Sequence, residues 1–163
     1  MKIAIIGTVG VPASYGGFET LVENLIEDDS ERYTVYCSGP HYAERVTAHK
    51  NANLIYIPLS ANGVQSIIYD IWSIIHALLT GHKNLLVLGT SGAIVLPLVK
   101  LFCPTVNVVT NIDGLEWKRQ KWKGFAKVFL KFSERLAVKF SSIVVADNEA
   151  IAKHVETNYR RTC

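Results

Sequence analysis

Six short apolar runs rich in β-branched residues, at residues 3–6, 33–37, 54–58, 85–88, 105–109 and 143–146, alternate with stretches of helical period at 18–27, 65–79, 93–102, 124–140 and 148–158. Strand followed by helix, repeated along a chain, builds right-handed βαβ units and a mainly parallel sheet with helices on both faces. The hydrophobic fraction of 49% suits strands buried on both sides. The expected fold is α/β, a Rossmann-like three-layer domain spanning residues 1–163. A short helix is expected around residues 41–49, inside a segment of weak pattern.

In such a sheet ligands bind outside the carboxyl ends of the strands, where the strand order reverses. The first strand runs into Gly7-Thr8-Val9-Gly10-Val11-Pro12-Ala13-Ser14-Tyr15-Gly16-Gly17, and a helix begins near Phe18. Glycines let the backbone come close to a ligand, and the first helical N–H groups lack intrahelical partners, so an anion is expected there. The alternative is a β–α connection whose glycines only make turns. Thr90 and Ser91, in Gly89-Thr90-Ser91-Gly92 after another strand, are candidates for the same crevice.

Other nucleotide-binding schemes fit poorly. The loop offers Gly7-x-x-Gly10-x-x-Ala13 rather than GxGxxG, Cys37-Ser38 stands where an acidic residue would hold a ribose, and no Gly-Lys-Ser/Thr occurs. An NAD(P)-binding oxidoreductase is the alternative enzyme class. The five histidines form no HExxH, and Cys37, Cys103 and Cys163 have unrelated spacings, so neither a metal site nor a disulfide framework is expected. No apolar stretch reaches the length of about 20 residues that crosses a bilayer.

A later loop, Asn111-Ile112-Asp113-Gly114-Leu115-Glu116-Trp117-Lys118-Arg119-Gln120-Lys121-Trp122, combines carboxylates, cations and indoles at a strand's carboxyl end. Asp113 and Glu116 read either as candidate catalytic groups or as caps of a following helix. Trp117 and Trp122 read as stacking faces for a sugar or as anchors to the core.

Three strings, Pro12-Ala13-Ser14-Tyr15-Gly16-Gly17-Phe18-Glu19-Thr20, the loop from Asp113 to Trp122, and Ala146-Asp147-Asn148-Glu149-Ala150-Ile151, resemble the N-terminal domain of bacterial family-4 glycosyltransferases. More narrowly they resemble a rhamnosyltransferase-type subgroup often labelled a domain of unknown function. The resemblance implies the acceptor-side half of a metal-independent GT-B enzyme, whose nucleotide-sugar donor, with no further cofactor, sits on a second domain that this sequence lacks. A fragment of this kind is expected to be inactive alone. The resemblance also implies that Ser14, Tyr15, Gly16 and Gly17 border the donor diphosphate and acceptor, and that Arg119 and Lys121 contact phosphates. If the reaction inverts the anomeric centre, Asp113 or Glu116 is the base; if it retains, they orient the sugar. Glu19, in the first helical turn, reads as structural.

The charge is uneven. Between Lys118 and Lys139 stand Lys118, Arg119, Lys121, Lys123, Lys127, Lys131, Arg135 and Lys139 against Glu134 alone. Lys123, Lys127, Lys131, Arg135 and Lys139 recur at every fourth position beside Phe125, Phe129 and Phe132. A cationic stripe next to aromatic residues suits an interfacial helix on anionic lipid, and the expected location is cytoplasmic, peripheral on the inner face of the membrane. The alternative is an ordinary amphipathic helix with its phenylalanines on the sheet. A non-enzymatic basic module binding nucleic acid is the remaining rival, unsupported by any recognised motif.

Overall fold

In the computed structural model all the expected strands pair into one sheet; residues 2–14, 16–28, 32–118 and 123–163 are described, Glu116 by its backbone only. The strands are β1 (Lys2–Ile6), β2 (Arg32–Ser38), β3 (Ala48–His49), β4 (Ala52–Ile57), β5 (Asn84–Leu88), β6 (Asn107–Ile112) and β7 (Ile143–Ala146), in the order β3-β4-β2-β1-β5-β6-β7. Every adjacent pair is parallel except β3 with β4. The helices are α1 (Gly17–Leu25), α2 (Gln65–Leu79), α3 (Leu96–Phe102), α4 (Gly124–Phe140) and α5 (Glu149–Tyr159).

The period of two along each strand sorts the core into two faces. Ala4, Ile6, Leu85, Val87 and Val108 pack with Tyr69, Ile74 and Ala77 of α2, Leu96 and Val99 of α3 and Ala137 of α4. Across the sheet, Ile5, Val35, Leu54 and Leu88 pack with Val22 of α1 and with Ile26. Val138 and Val144 meet Ile151 and Val155 of α5 at the β7 edge. The layers are therefore α2–α3–α4, sheet, and α1, with α5 closing one edge.

Two local expectations are corrected. Residues 41–49 hold no α-helix: a 3-10 turn covers Gly39–His41, and β3 pairs antiparallel with β4. The turn between β3 and β4 puts Lys50 at φ 49°, where its Nζ reaches Glu23 at 2.8 Å and Glu27 at 2.8 Å. Tertiary ion pairs thus hold a conformation that a lysine seldom adopts alone. β6 also runs to Ile112 instead of ending at residue 109, because Asn111 is paired between Leu88 and Val145 and the ladders on both sides override its weak strand preference.

From β1 the chain passes to β2 on one side and later returns to β5 on the other. The carboxyl ends of β1 and β5 therefore flank the point where strand order reverses.

Candidate functional site

The loop from β1 to α1 enters this crevice, and its glycines divide by what they do. A Cβ on Gly7 would stand 2.1 Å from the Leu88 carbonyl oxygen, and one on Gly10 would stand 2.6 Å from Cys37 Sγ. At Gly16, φ is 120° and a Cβ would stand 2.0 Å from Glu19 Oε2. All three are demanded by the fold, as a simple turn-making role would have it. Gly17 differs: it has no positive φ, and nothing lies within 4 Å of its Cβ position. It is the first residue of α1, whose N-cap Gly16 offers no side-chain cap to the helix. Bare backbone donors and open space there leave room for an anion.

Two carboxylates fix the loop. Glu19, 6% exposed, accepts at Oε1 from Thr8 Oγ1 and the Val9 N–H, each at 2.9 Å. It is structural, as its sequence position suggests. Glu23 accepts from the Ala13 N–H at 2.9 Å and from His49 Nε2 at 3.0 Å, and pairs with Lys50. Burial opposes its charge, but the hydrogen bonds from Lys50, Ala13 and His49 outweigh burial and hold the carboxyl at about 2. The Tyr42 hydroxyl donates to the Pro12 carbonyl at 3.1 Å, and Ser14 Oγ lies 2.8 Å from His41 Nε2. A loop tied at Thr8, Val9, Pro12, Ala13 and Ser14 is set in place before any ligand arrives.

The loop after β5 supplies the other wall. Thr90 is buried and its carbonyl accepts from Ser133 Oγ at 2.6 Å, while the Ser91 hydroxyl donates to Asp70 of α2. Asp70 is 4% exposed, and burial pushes its carboxyl up to about 7 against the opposing Ser91 hydrogen bond. Ser91 thus gives its hydroxyl hydrogen to the protein. At the end of β6, Asn111 is 5% exposed, and its Oδ1 accepts no hydrogen bond from any described residue. A buried acceptor left unmet is uncommon, and a ligand hydroxyl would complete it. Asp113 follows directly, half-buried, at the end of a strand two places from β1, which strand spacing puts roughly 10 Å across the sheet.

Trp117 is placed elsewhere. Its Nε1 donates to Glu134 Oε2 at 2.9 Å, so the anchoring role holds for this indole. Glu134, 1% exposed on α4, also accepts at Oε1 from His154 Nε2 at 2.9 Å and from the Tyr159 hydroxyl at 2.7 Å. Burial and then Glu134 raise the Tyr159 phenol well above its usual range. The Nζ of Lys131 lies 5.1 Å from the Trp117 ring centroid and that of Lys118 5.3 Å. Trp117, Lys118, Lys131, His154 and Tyr159 line an open groove between α4 and α5. Backbone of Glu116 lies in the 3-10 turn Glu116–Lys118; Tyr15, Arg119, Lys121 and Trp122 lie outside the described residues.

Sequence reasoning passed over Asp70, Asn111 and Glu134. Asp70 could have been found, since it stands three, four and seven positions before Ser73, Ile74 and Ala77 on the buried face of α2. Glu134 was visible only as a lone acid among cations. Among the described residues no cluster of His, Cys, Asp and Glu could hold a metal ion, and no helix is long and apolar enough to cross a membrane.

No curated protein matches the sequence. A family model described as a domain of unknown function, DUF1972, matches it over residues 1–163. A Rossmann-like sheet whose crevice carries a tethered glycine loop is thus the architecture of a member of that family: the chain belongs to the DUF1972 domains.

Proposed function

We propose that the β1–β5 crevice is one wall of a sugar-transfer site, the acceptor-side half of a GT-B glycosyltransferase whose nucleotide-sugar donor is held by a second domain. The observation that carries it is Gly17, free of any demand from the fold, at the uncapped start of α1 within the switch-point crevice. Backbone N–H groups there stabilise charge developing on a departing nucleoside diphosphate, and they do so without reorganisation because Glu19 and Glu23 already hold the loop. The unmet Asn111 Oδ1 suits a sugar hydroxyl as donor. Asp113, at the end of β6, serves as base in an inverting reaction or orients the acceptor in a retaining one. Rhamnose is the sugar suggested by the resemblance, and a surface polysaccharide or lipid-linked glycan the acceptor.

The dinucleotide alternative loses support at β2. The Ser38 hydroxyl donates to the Leu59 carbonyl at 2.9 Å, so the strand end offers neither a carboxylate nor a spare hydroxyl to a ribose. Burial pushes the neighbouring Cys37 thiol up to about 11, which leaves it unreactive at neutral pH.

A peripheral site on the cytoplasmic membrane belongs to the same proposal. The outer side of α4 exposes Phe125 and Phe132 together with Lys123, Lys127, Lys131, Arg135 and Lys139. Not all its phenylalanines pack on the sheet, as an ordinary amphipathic helix would require: Phe140 packs against the core, whereas Phe125 and Phe132 are exposed.

The test is release of nucleoside diphosphate from a panel of nucleotide sugars by the full-length protein. Gly17→Val should lower turnover about 100-fold with an unchanged melting temperature, and Asp113→Ala should lower it by a similar factor. Asn111→Val should raise the KM for acceptor about tenfold while leaving stability unchanged or improved, because an unmet polar group is replaced by a strand-forming apolar one. Normal turnover by folded Gly17→Val protein refutes the diphosphate contact.

A further inference from the structure

The outer surface of the α2–α3–α4 layer has a composition that sugar transfer does not use. α2 turns Tyr69, Ile74 and Ala77 to the sheet, yet its opposite side is also apolar. Ile68, Trp72, Ile75 and Leu79 are 55%, 52%, 43% and 81% exposed, and their spacing of three and four residues aligns them in one ridge. Leu101 and Phe102 at the end of α3 are exposed in the same layer, as are Phe125 and Phe132 on α4. On α2, Ile68, Trp72, Ile75 and Leu79 line one apolar depression, and contiguous apolar surface of this kind marks a place of contact.

Charge narrows the choice of what makes the contact. Between Glu44 and Asp113 the sequence has one acidic residue, Asp70, and α4 has only Glu134; they are 4% and 1% exposed. No acidic side chain therefore reaches the outer surface of these three helices, whereas Lys127, Lys131, Arg135 and Lys139 do. Exposed acids sit instead on α5 at the sheet edge and around the end of α1 across the sheet, at Glu149, Glu156, Glu27 and Asp28. A second copy docking by two-fold symmetry would set this acid-free face against itself, cation facing cation. A bilayer with anionic headgroups complements both the apolar ridge and the cations.

We propose that the α2–α3–α4 layer docks on an anionic lipid bilayer, with the α2 ridge entering the acyl boundary and the α4 cations lying at the headgroup phosphates. This goes beyond contact through α4 alone, and it does not depend on the chemistry of the crevice.

The experiment is co-sedimentation of the chain with phosphatidylcholine vesicles, with and without phosphatidylglycerol, together with tryptophan quenching by brominated lipid. The wild type should bind the phosphatidylglycerol vesicles and be quenched, and Trp72→Phe should bind with most of that quenching lost. Trp72→Asp/Leu79→Asp, its fold checked by circular dichroism, should bind at least ~10-fold more weakly, from the loss of two apolar side chains that enter the bilayer. Lys127→Glu/Lys131→Glu should lose the preference for phosphatidylglycerol. Absence of wild-type binding overturns the proposal along with the α4 contact. Undiminished binding by Trp72→Asp/Leu79→Asp, with loss in the lysine variant, overturns it and leaves the α4 contact standing. Dimerisation in solution that the same apolar substitutions abolish, without vesicle binding, gives the face to a second copy and also overturns it. Failure of sugar transfer, read from nucleoside diphosphate release, leaves every one of these outcomes unaltered.

Discussion

Glu134→Ala should destabilise the domain by about 3–5 kcal/mol, read as a fall in the urea midpoint at unchanged slope. The carboxylate is 1% exposed and accepts from Trp117 Nε1, His154 Nε2 and the Tyr159 hydroxyl, which belong to the turn before α4 and to α5. Removing it strands those donors in a site that water does not readily fill, and unpaired buried donors cost more than their hydrogen bonds contribute. Glu134→Gln separates charge from connectivity. Its oxygen can still accept from Tyr159 and His154, but its amide then meets the Trp117 N–H donor to donor, so a loss of about 1–3 kcal/mol is expected. A loss below about 1 kcal/mol for the alanine variant would mean that α5 is held by the apolar contacts of Ile151 and Val155 alone.

Stability should fall as pH rises from about 4 to about 7, by up to about 4 kcal/mol from Asp70 alone. Burial lifts its carboxyl from 3.8 to about 7 in the folded protein. Within that window the folded state therefore binds a proton that the unfolded chain has released, and by linkage each step up in pH favours unfolding. Glu23 has the opposite sign. Its carboxyl is held at about 2 against 4.5 unfolded, so its contribution is full above about 4.5 and is lost as pH falls toward 2. The two slopes place the most stable pH near 4 to 5, in the acidic range. Asp70→Asn keeps the volume beside Ser91 and removes one slope; denaturation curves of wild type and variant across pH should diverge between 4 and 7 and run parallel above. Parallel curves throughout would show that Asp70 is ionised in the folded state at little cost.

The helices were the most legible part of the sequence. α2 and α4 occupy the residues that their periodicity marks, 65–79 and 124–140, because long amphipathic patterns fix their own limits. The end of β6 and the whole of β3 were not legible, since the first is set by ladders on both sides of Asn111 and the second leads into a turn whose Lys50 pairs with Glu23 in a distant segment. The glycine loop was legible as the connection from β1 to α1, but not residue by residue. Which glycines serve packing depends on Leu88, Cys37 and Glu19 standing against them, and that leaves Gly17 as the informative one. Trp117 could not be assigned from the sequence, because its partner Glu134 lies 17 positions away, across the residues leading into α4. The outer side of α2 was hardest to foresee, since a helix apolar all round ordinarily implies burial on every side.

The segregation of acidic side chains away from the α2–α3–α4 layer gives the domain an electrical front and back. Near a negatively charged surface such a body experiences a torque that turns its cationic side forward before anything touches. At physiological ionic strength the field reaches only about 8 Å, so this turning is confined to the last stage of approach. On the proposed bilayer docking, added salt would act on the frequency of correctly oriented arrivals, while the residence time would be set by how deeply Trp72 and Leu79 are seated. In that docking, arrival and departure would be controlled by different helices, α4 for the one and α2 for the other.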